Sequence, residues 1–125
     1  MSLKRLDLPD GQWADLLERP YHAEYLAILE ASERAVRGDA TWAEWAFTLG
    51  RQYTKVWGLR GDDGQAIDLK DWSRVDPDLV DAICTEAQNR WREWQAARVP
   101  LVARRDVSPR PTPGEPSPDT SPAAP

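Results

Sequence analysis

The sequence predicts a mainly α domain, with a small N-terminal β-hairpin followed by three helices, and a disordered proline-rich C-terminal tail. Three observations predict it. Pro9-Asp10-Gly11 is a turn flanked by short apolar stretches. Thr41-Trp42-Ala43-Glu44 and Asp76-Pro77 are strong helix starts. From Pro109 to Pro125, seven of 17 residues are proline, mixed with Ser, Thr, Asp and Ala, a composition with nothing to bury. The helical domain therefore takes residues 1–100 and the tail 101–125. About 100 residues are enough for a modest core.

The hairpin is expected over residues 3–17. Proline presets φ, aspartate tolerates the turn, and glycine accepts positive φ. Leu6 and Leu8 alternate with Arg5 and Asp7, the two-residue period of a half-buried strand. Trp13 is placed to cover the same face. The alternation after the turn is poorer, and Ala14 to Glu18 also suits a helix.

The first helix is expected from Pro20 to about Arg37, with Gly38 as a left-handed stop. Tyr21, Tyr25, Ile28, Leu29 and Val36 fall on one side, and Glu24, Glu30, Glu33, Arg34 and Arg37 mark the wet side. In the second helix Thr41 and Glu44 form a capping box, each satisfying an orphan backbone donor of the other. Trp42, Trp45, Ala46, Leu49, Tyr53 and Val56 repeat on one face, with Gly58 as the stop. Gly50 lies inside this helix and costs about 1 kcal/mol of propensity; a close helix–helix approach would explain it.

Residues 58–75 are too long for a simple inter-helix turn. They carry the turn signal Gly61-Asp62-Asp63-Gly64. Asp62, Asp63, Asp68 and Asp71 invite a calcium-loop reading, but their spacing lacks the alternating ligands and the distal glutamate. A solvated acidic turn is expected, with no metal. The third helix opens with Asp76 as N-cap and Pro77 in its first turn, and Val75 is positioned to staple onto Val80. Val80, Cys84, Ala87, Trp91 and Trp94 then alternate steps of three and four to form a packing seam, which ends near Val99. In the tail, Pro113-Gly114-Glu115-Pro116 matches PxxP, a match that so proline-rich a segment yields close to chance.

The formal net charge of −5 argues against wholesale nucleic-acid binding, which needs a surplus of Lys and Arg. Arg90, Arg92 and Arg98, with Arg104 and Arg105 beyond, read as a solvated helix face. No stretch has the length of a membrane span and no signal peptide opens the chain, so a cytoplasmic location is expected. Cys84 is the one cysteine and sits among apolar residues, which suits a buried hydrophobe better than a nucleophile. His22 is the one histidine, in the first turn of a helix. No phosphate-cradling glycine loop, Gly-x-Ser-x-Gly or helical metal-ligand pair occurs. The carboxylates are plentiful but unpaired, and acid–base work needs two held in different environments. Neither an enzyme nor a cofactor is expected.

Seven tryptophans in 125 residues point instead to binding. Trp42, Trp45, Trp91 and Trp94 lie at helical spacing, and the plain reading of each is core. Four core tryptophans are many for so small a body, so one or two are expected at the surface, where a partner covers them. These four are the candidate partner-binding residues.

The order of elements is also familiar. Leu-Pro-Asp-Gly-Gln-Trp leads into Leu-Glu-Arg-Pro at the first helix. The second helix is followed by Val56-Trp57-Gly58-Leu59 and an Asp-Asp-Gly turn, and Val-Asp-Pro-Asp-Leu-Val-Asp-Ala-Ile opens the last helix. Over about residues 3–97 this resembles the small tail assembly chaperones of long-tailed (siphovirus-type) bacteriophages. The resemblance implies a non-enzymatic protein of phage morphogenesis, acting in the cytoplasm of the infected host and absent from the finished virion. Its partners would be the tape measure protein, which such chaperones coat, and tail tube protein, which they help recruit. In many phages a longer form arises by frameshifting near the end of the short reading frame. The family has no catalytic residues to carry over, and the high tryptophan content departs from its general pattern. Two other readings stay open from the residues: a virion component such as a head–tail connector, and a small regulatory adaptor that docks a partner helix. The oligomeric state is not legible.

Overall fold

Pro9-Asp10-Gly11 closes the first hairpin as a tight turn, with the Gln12 N–H donating to the Pro9 carbonyl at 3.2 Å and with Asp10 at φ +61° and Gly11 at φ +74°. Glycine takes that conformation without a Cβ clash, and aspartate is among the few other residues that visit it. The turn joins β1 (Leu3–Asp7) to β2 (Trp13–Leu17), and Leu6 pairs with Ala14 and Arg5 with Asp15. The computed structural model describes residues 2–98. The expected tail, 101–125, lies outside the described residues.

Ala14 to Leu17, for which a helix was an alternative, is strand. Trp13 takes the face opposite to the one expected. It shares the Arg5 and Asp15 side of the hairpin, where the Arg5 guanidinium lies 3.8 Å from its ring centroid, while Leu6 and Ala14 point the other way. The two-residue period enforces this, because Trp13 and Ala14 are adjacent.

α1 (His22–Val36) starts two residues later than expected. Pro20 is buried before it, and Tyr21 is the N-cap, its backbone N–H donating to Glu24 Oε1 at 3.0 Å. Ile28 and Ala35 face the core, whereas Val36 is 75% exposed and Tyr21 is exposed as well, against the expected stripe. The dry face of α1 is narrower than the apolar spacing suggested. Gly38 ends the helix at φ +82°.

α2 (Trp42–Tyr53) begins with the predicted capping box: Thr41 Oγ1 accepts from Glu44 N at 3.1 Å, and Thr41 N donates to Glu44 Oε1 at 2.8 Å. It stops at Tyr53, short of the expected Val56 to Gly58, and the chain passes directly into β3 (Thr54–Gly58). Thr54, Val56 and Trp57 are β-branched or aromatic, and the open edge of β2 offers them a ladder that a further helical turn would not. The hairpin thus becomes a three-stranded antiparallel sheet of order β1-β2-β3. Asp15 pairs with Val56 and Leu16 with Thr54, leaving Lys55 as an extra residue. That irregularity accompanies the burial of both Leu16 and Leu17, which strict alternation would forbid.

Between β3 and α3 (Pro77–Ala97) the chain makes a turn at 61–64 and a 3-10 turn at Trp72–Arg74. Leu59 and Ile67 are buried, and Leu69 is exposed. Asp76 caps α3 by accepting from Asp78 N at 2.8 Å, and Pro77 is its first residue. The predicted seam holds: Cys84, Ala87 and Trp91 are buried, with Val80 and Trp94 packed at the margin of the core.

The core joins Ala14, Leu16 and Leu17 of β2 to Ile28, Leu49, Tyr53, Ile83 and Ala87, with α2 packed against both α1 and α3. Arg90 corrects the expected solvated basic face. It is 7% exposed, and one of its guanidinium nitrogens donates to the carbonyls of Lys4, Leu16 and Leu17 at 3.2, 2.9 and 3.1 Å. Its Nε pairs with Glu86 at 2.8 Å. α3 thereby ties down β1 and the distorted end of β2, with one charged donor bridging three carbonyls of the hairpin.

Candidate functional site

The four candidate tryptophans form two pairs. At the start of α2, Trp42 and Trp45 meet edge to face, with centroids 5.5 Å apart and planes at 79°. Trp42 is 55% exposed. Trp45 is half-buried, and its indole N–H has no hydrogen-bond partner among the described residues. Near the end of α3, Trp91 and Trp94 are 5.7 Å apart, and Tyr25 of α1 completes a three-ring cluster at 6.0 and 5.7 Å. Trp91 is 8% exposed and belongs to the core; Trp94 is half-buried. Two guanidiniums flank the Trp94 ring, Arg98 at 4.7 Å and Arg19 at 5.4 Å.

The two pairs are not one patch. Phe47 lines the same groove as Pro77 and Val80, and Gly50 lies against Cys84, so α2 and α3 run in the same sense. Trp45 then falls near the start of α3, and a helical rise of 1.5 Å per residue separates it from Trp91 by about 20 Å. No stacked ring pair links them among the described residues.

A third aromatic group was not legible as such. Trp72 packs edge to face on Phe47 at 5.5 Å and on Trp57 at 4.8 Å. Trp57 Nε1 donates to the Ile67 carbonyl at 2.8 Å, which satisfies the one polar atom of its buried indole. Phe47, Trp72, Val75 and Val80 line an open groove of about 730 Å³. Arg51, Lys70, Asp71 and Asp81 rim it, and the Arg51 guanidinium lies 5.2 Å from the Phe47 ring. The helical period could only join Phe47 to neighbours on its own helix. Trp57 and Trp72 arrive from a strand and a 3-10 turn, which carry no shared period.

The ionisable groups are set for structure. Burial pushes the Cys84 thiol up to about 11, and the Asp81 charge adds to the rise. A neutral thiol at physiological pH is a poor nucleophile. Burial also holds the Tyr53 hydroxyl well above its ordinary range, with Arg90 and Arg19 opposing. For Glu24, burial is the largest single influence and acts upward, but the hydrogen bond from Lys55 at 3.0 Å, the Lys55 charge and backbone N–H donors together outweigh it, and the carboxyl stays below its usual value. His22 is exposed in the first turn of α1. In the acidic loop, Asp63 accepts from Gln65 N and Asp71 from Ser73 Oγ. Among the described residues no three His, Cys, Asp or Glu side chains converge on a metal position, and no helix is long and apolar enough to cross a membrane.

Compared with known proteins, the chain matches no protein-family model, no curated protein and no solved structure.

Proposed function

We propose that this protein is a non-enzymatic tail assembly chaperone of a long-tailed bacteriophage. In that role it holds a hydrophobic or amphipathic helical segment of the tape measure protein and helps recruit tail tube subunits in the infected host's cytoplasm. The single observation that carries the binding part is Trp42. It is a large indole left 55% exposed on a well-capped helix and braced edge-on by Trp45. Exposed, pre-oriented tryptophans are common anchors of protein interfaces, since ordering them on binding costs little entropy. Exposed Leu26 and Val36 on α1 add apolar surface for a helical client. The net charge of −5 favours a client with basic stretches and keeps the carrier soluble. The specific assignment to tail assembly rests on the resemblance in sequence.

Co-expression tests it. The chain should keep the tape measure protein of the same genome soluble and co-purify with it, and Trp42→Ala should fold normally while losing it. A tape measure protein equally soluble without the chain, or captured undiminished by Trp42→Ala, sinks the proposal. The protein's presence in purified virions would favour a structural component instead. A slippery heptamer near the 3′ end of the gene, overlapping a second frame and followed by a very long gene, is the cheapest supporting observation.

A further inference from the structure

The Phe47–Trp72 groove is separate from the Trp42 surface, and its chemistry fits a different occupant. We propose that the chain's own segment 110–118 docks there, with Pro113 and Pro116 against Phe47 and Trp72.

Four observations carry this. The first is the shape of the lining. Phe47 and Trp72 stand at 85° to one another over a floor of Val75 and Val80. Aromatic-lined grooves of this kind take polyproline II ridges, which arrive pre-ordered and lose little entropy on docking. The second is periodicity. Polyproline II has three residues per turn, so Arg110, Pro113 and Pro116 fall along one edge, the two prolines about 9 Å apart. PxxP in this tail was close to chance as a motif; an aromatic groove within reach gives it a place to act.

The third is charge. Arg51 and Lys70 rim the groove, and Glu115 lies between the two prolines. Asp81 is exposed at the α3 side of the same rim and opposes Arg110. Basic and acidic positions therefore have counterparts on both sides. The fourth is reach. From Arg98, at the end of α3, back to the level of Asp81 is about 26 Å at the helical rise. The twelve steps from Arg98 to Arg110 span about 37 Å in an extended polyproline-like path. The segment can return along α3, and tethering at that length supplies a millimolar-range local concentration, so a weak contact suffices.

The test uses the full chain. Ser117→Cys carries a nitroxide label, with Cys84 left in place because it is buried. In 15N-labelled protein the label should broaden the amides of Phe47, Arg51 and Val80 and the Trp72 indole N–H. Replacing both prolines, Pro113→Ser with Pro116→Ser, should abolish that broadening. Asp81→Arg should weaken it, and combining Asp81→Arg with Arg110→Asp should restore it. Broadening that is absent, spread evenly or centred on Trp42 or Trp94 overturns the proposal, as does broadening that survives loss of the prolines or fails to follow the charge swap. A mixture of spin-labelled 14N protein and unlabelled 15N protein must stay sharp. Broadening in that mixture means a second copy fills the groove, which also overturns it.

Discussion

Gly50 of α2 lies against Cys84 of α3 so closely that a methyl group at Gly50 would stand 2.7 Å from Cys84 Sγ. The two helices meet here with no side chain of α2 between them, which accounts for a glycine in the middle of an otherwise good helix. Below and beside this contact lie Leu49, Tyr53, Ile83 and Ala87, all fully buried.

Gly50→Ala is therefore expected to destabilise the fold. Alanine gains about 1 kcal/mol of helix propensity, but overpacking a tight core typically costs about 1–3 kcal/mol. The substitution should lower the melting temperature, and adding Cys84→Ala should recover much of the loss by removing Sγ. A Gly50→Ala protein that melts higher than wild type would show that α2 and α3 can part without cost.

The Cys84 thiol makes stability depend on alkali. In the unfolded chain it ionises near about pH 8.5, whereas burial moves it up to about 11 in the fold. Below the lower value both states carry the proton and the thiol adds no slope. Between the two, only the unfolded chain loses it, so stability falls as pH rises through about 9 to 11. Tyr53, raised by burial, continues the fall at higher pH with the same sign. Urea midpoints from pH 7 to 11 should decline, and Cys84→Ala should flatten the first part of that decline. A thiol reagent should leave the native protein unmodified at neutral pH until denaturant is added.

Arg90 should be among the costliest single sites. Arg90→Met removes the donor shared by the Lys4, Leu16 and Leu17 carbonyls and the partner of Glu86, for a loss of about 3 kcal/mol. Hydrogen exchange should speed first in β1 and β2, which Arg90 ties to α3. If Arg90→Met melts like wild type, water replaces the guanidinium and the clamp has no energetic role.

The tryptophans should separate under alanine scanning. Trp91→Ala empties a core position and should cost about 3–5 kcal/mol of folding stability. Trp42→Ala should change stability by less than about 1 kcal/mol and instead weaken client capture by about 2 kcal/mol or more. Trp45 and Trp94, half-buried, should show both effects. Parallel melting and pull-down measurements sort the four, and unfolding of Trp42→Ala would place it in the core.

Much of the fold was legible because its signals are local. The Thr41–Glu44 box, the Asp76–Pro77 start and the Pro9–Gly11 turn act within a few residues, so reading them needs no knowledge of the rest of the chain. The α3 seam was legible because one helix face repeats at a fixed interval. The end of α2 was not. Val56 continues the apolar period of Trp45, Leu49 and Tyr53, and only the presence of a free β2 edge makes Thr54–Gly58 a strand. Of the candidate site, the pairing of Trp42 with Trp45 and of Trp91 with Trp94 followed from helical spacing, since residues three apart lie on one face. Their separation by about 20 Å along α3 did not, because it depends on how α2 and α3 are set side by side.

By itself, then, the sequence determined the first hairpin, the presence of three helices, the caps of α2 and α3 and the apolar face of α3, all consequences of backbone geometry over a few residues. The tertiary structure alone decided the third strand, the burial of Arg90 and the meeting of Phe47, Trp57 and Trp72. Each of these needs a partner distant in the chain: an unpaired strand edge, three hairpin carbonyls 73 to 86 residues away, and a loop folded back on a helix. Local periodicity cannot encode such partners. They exist only once the chain has brought its ends together, and that closure made one expected surface arginine a buried clamp while leaving Trp42 in water.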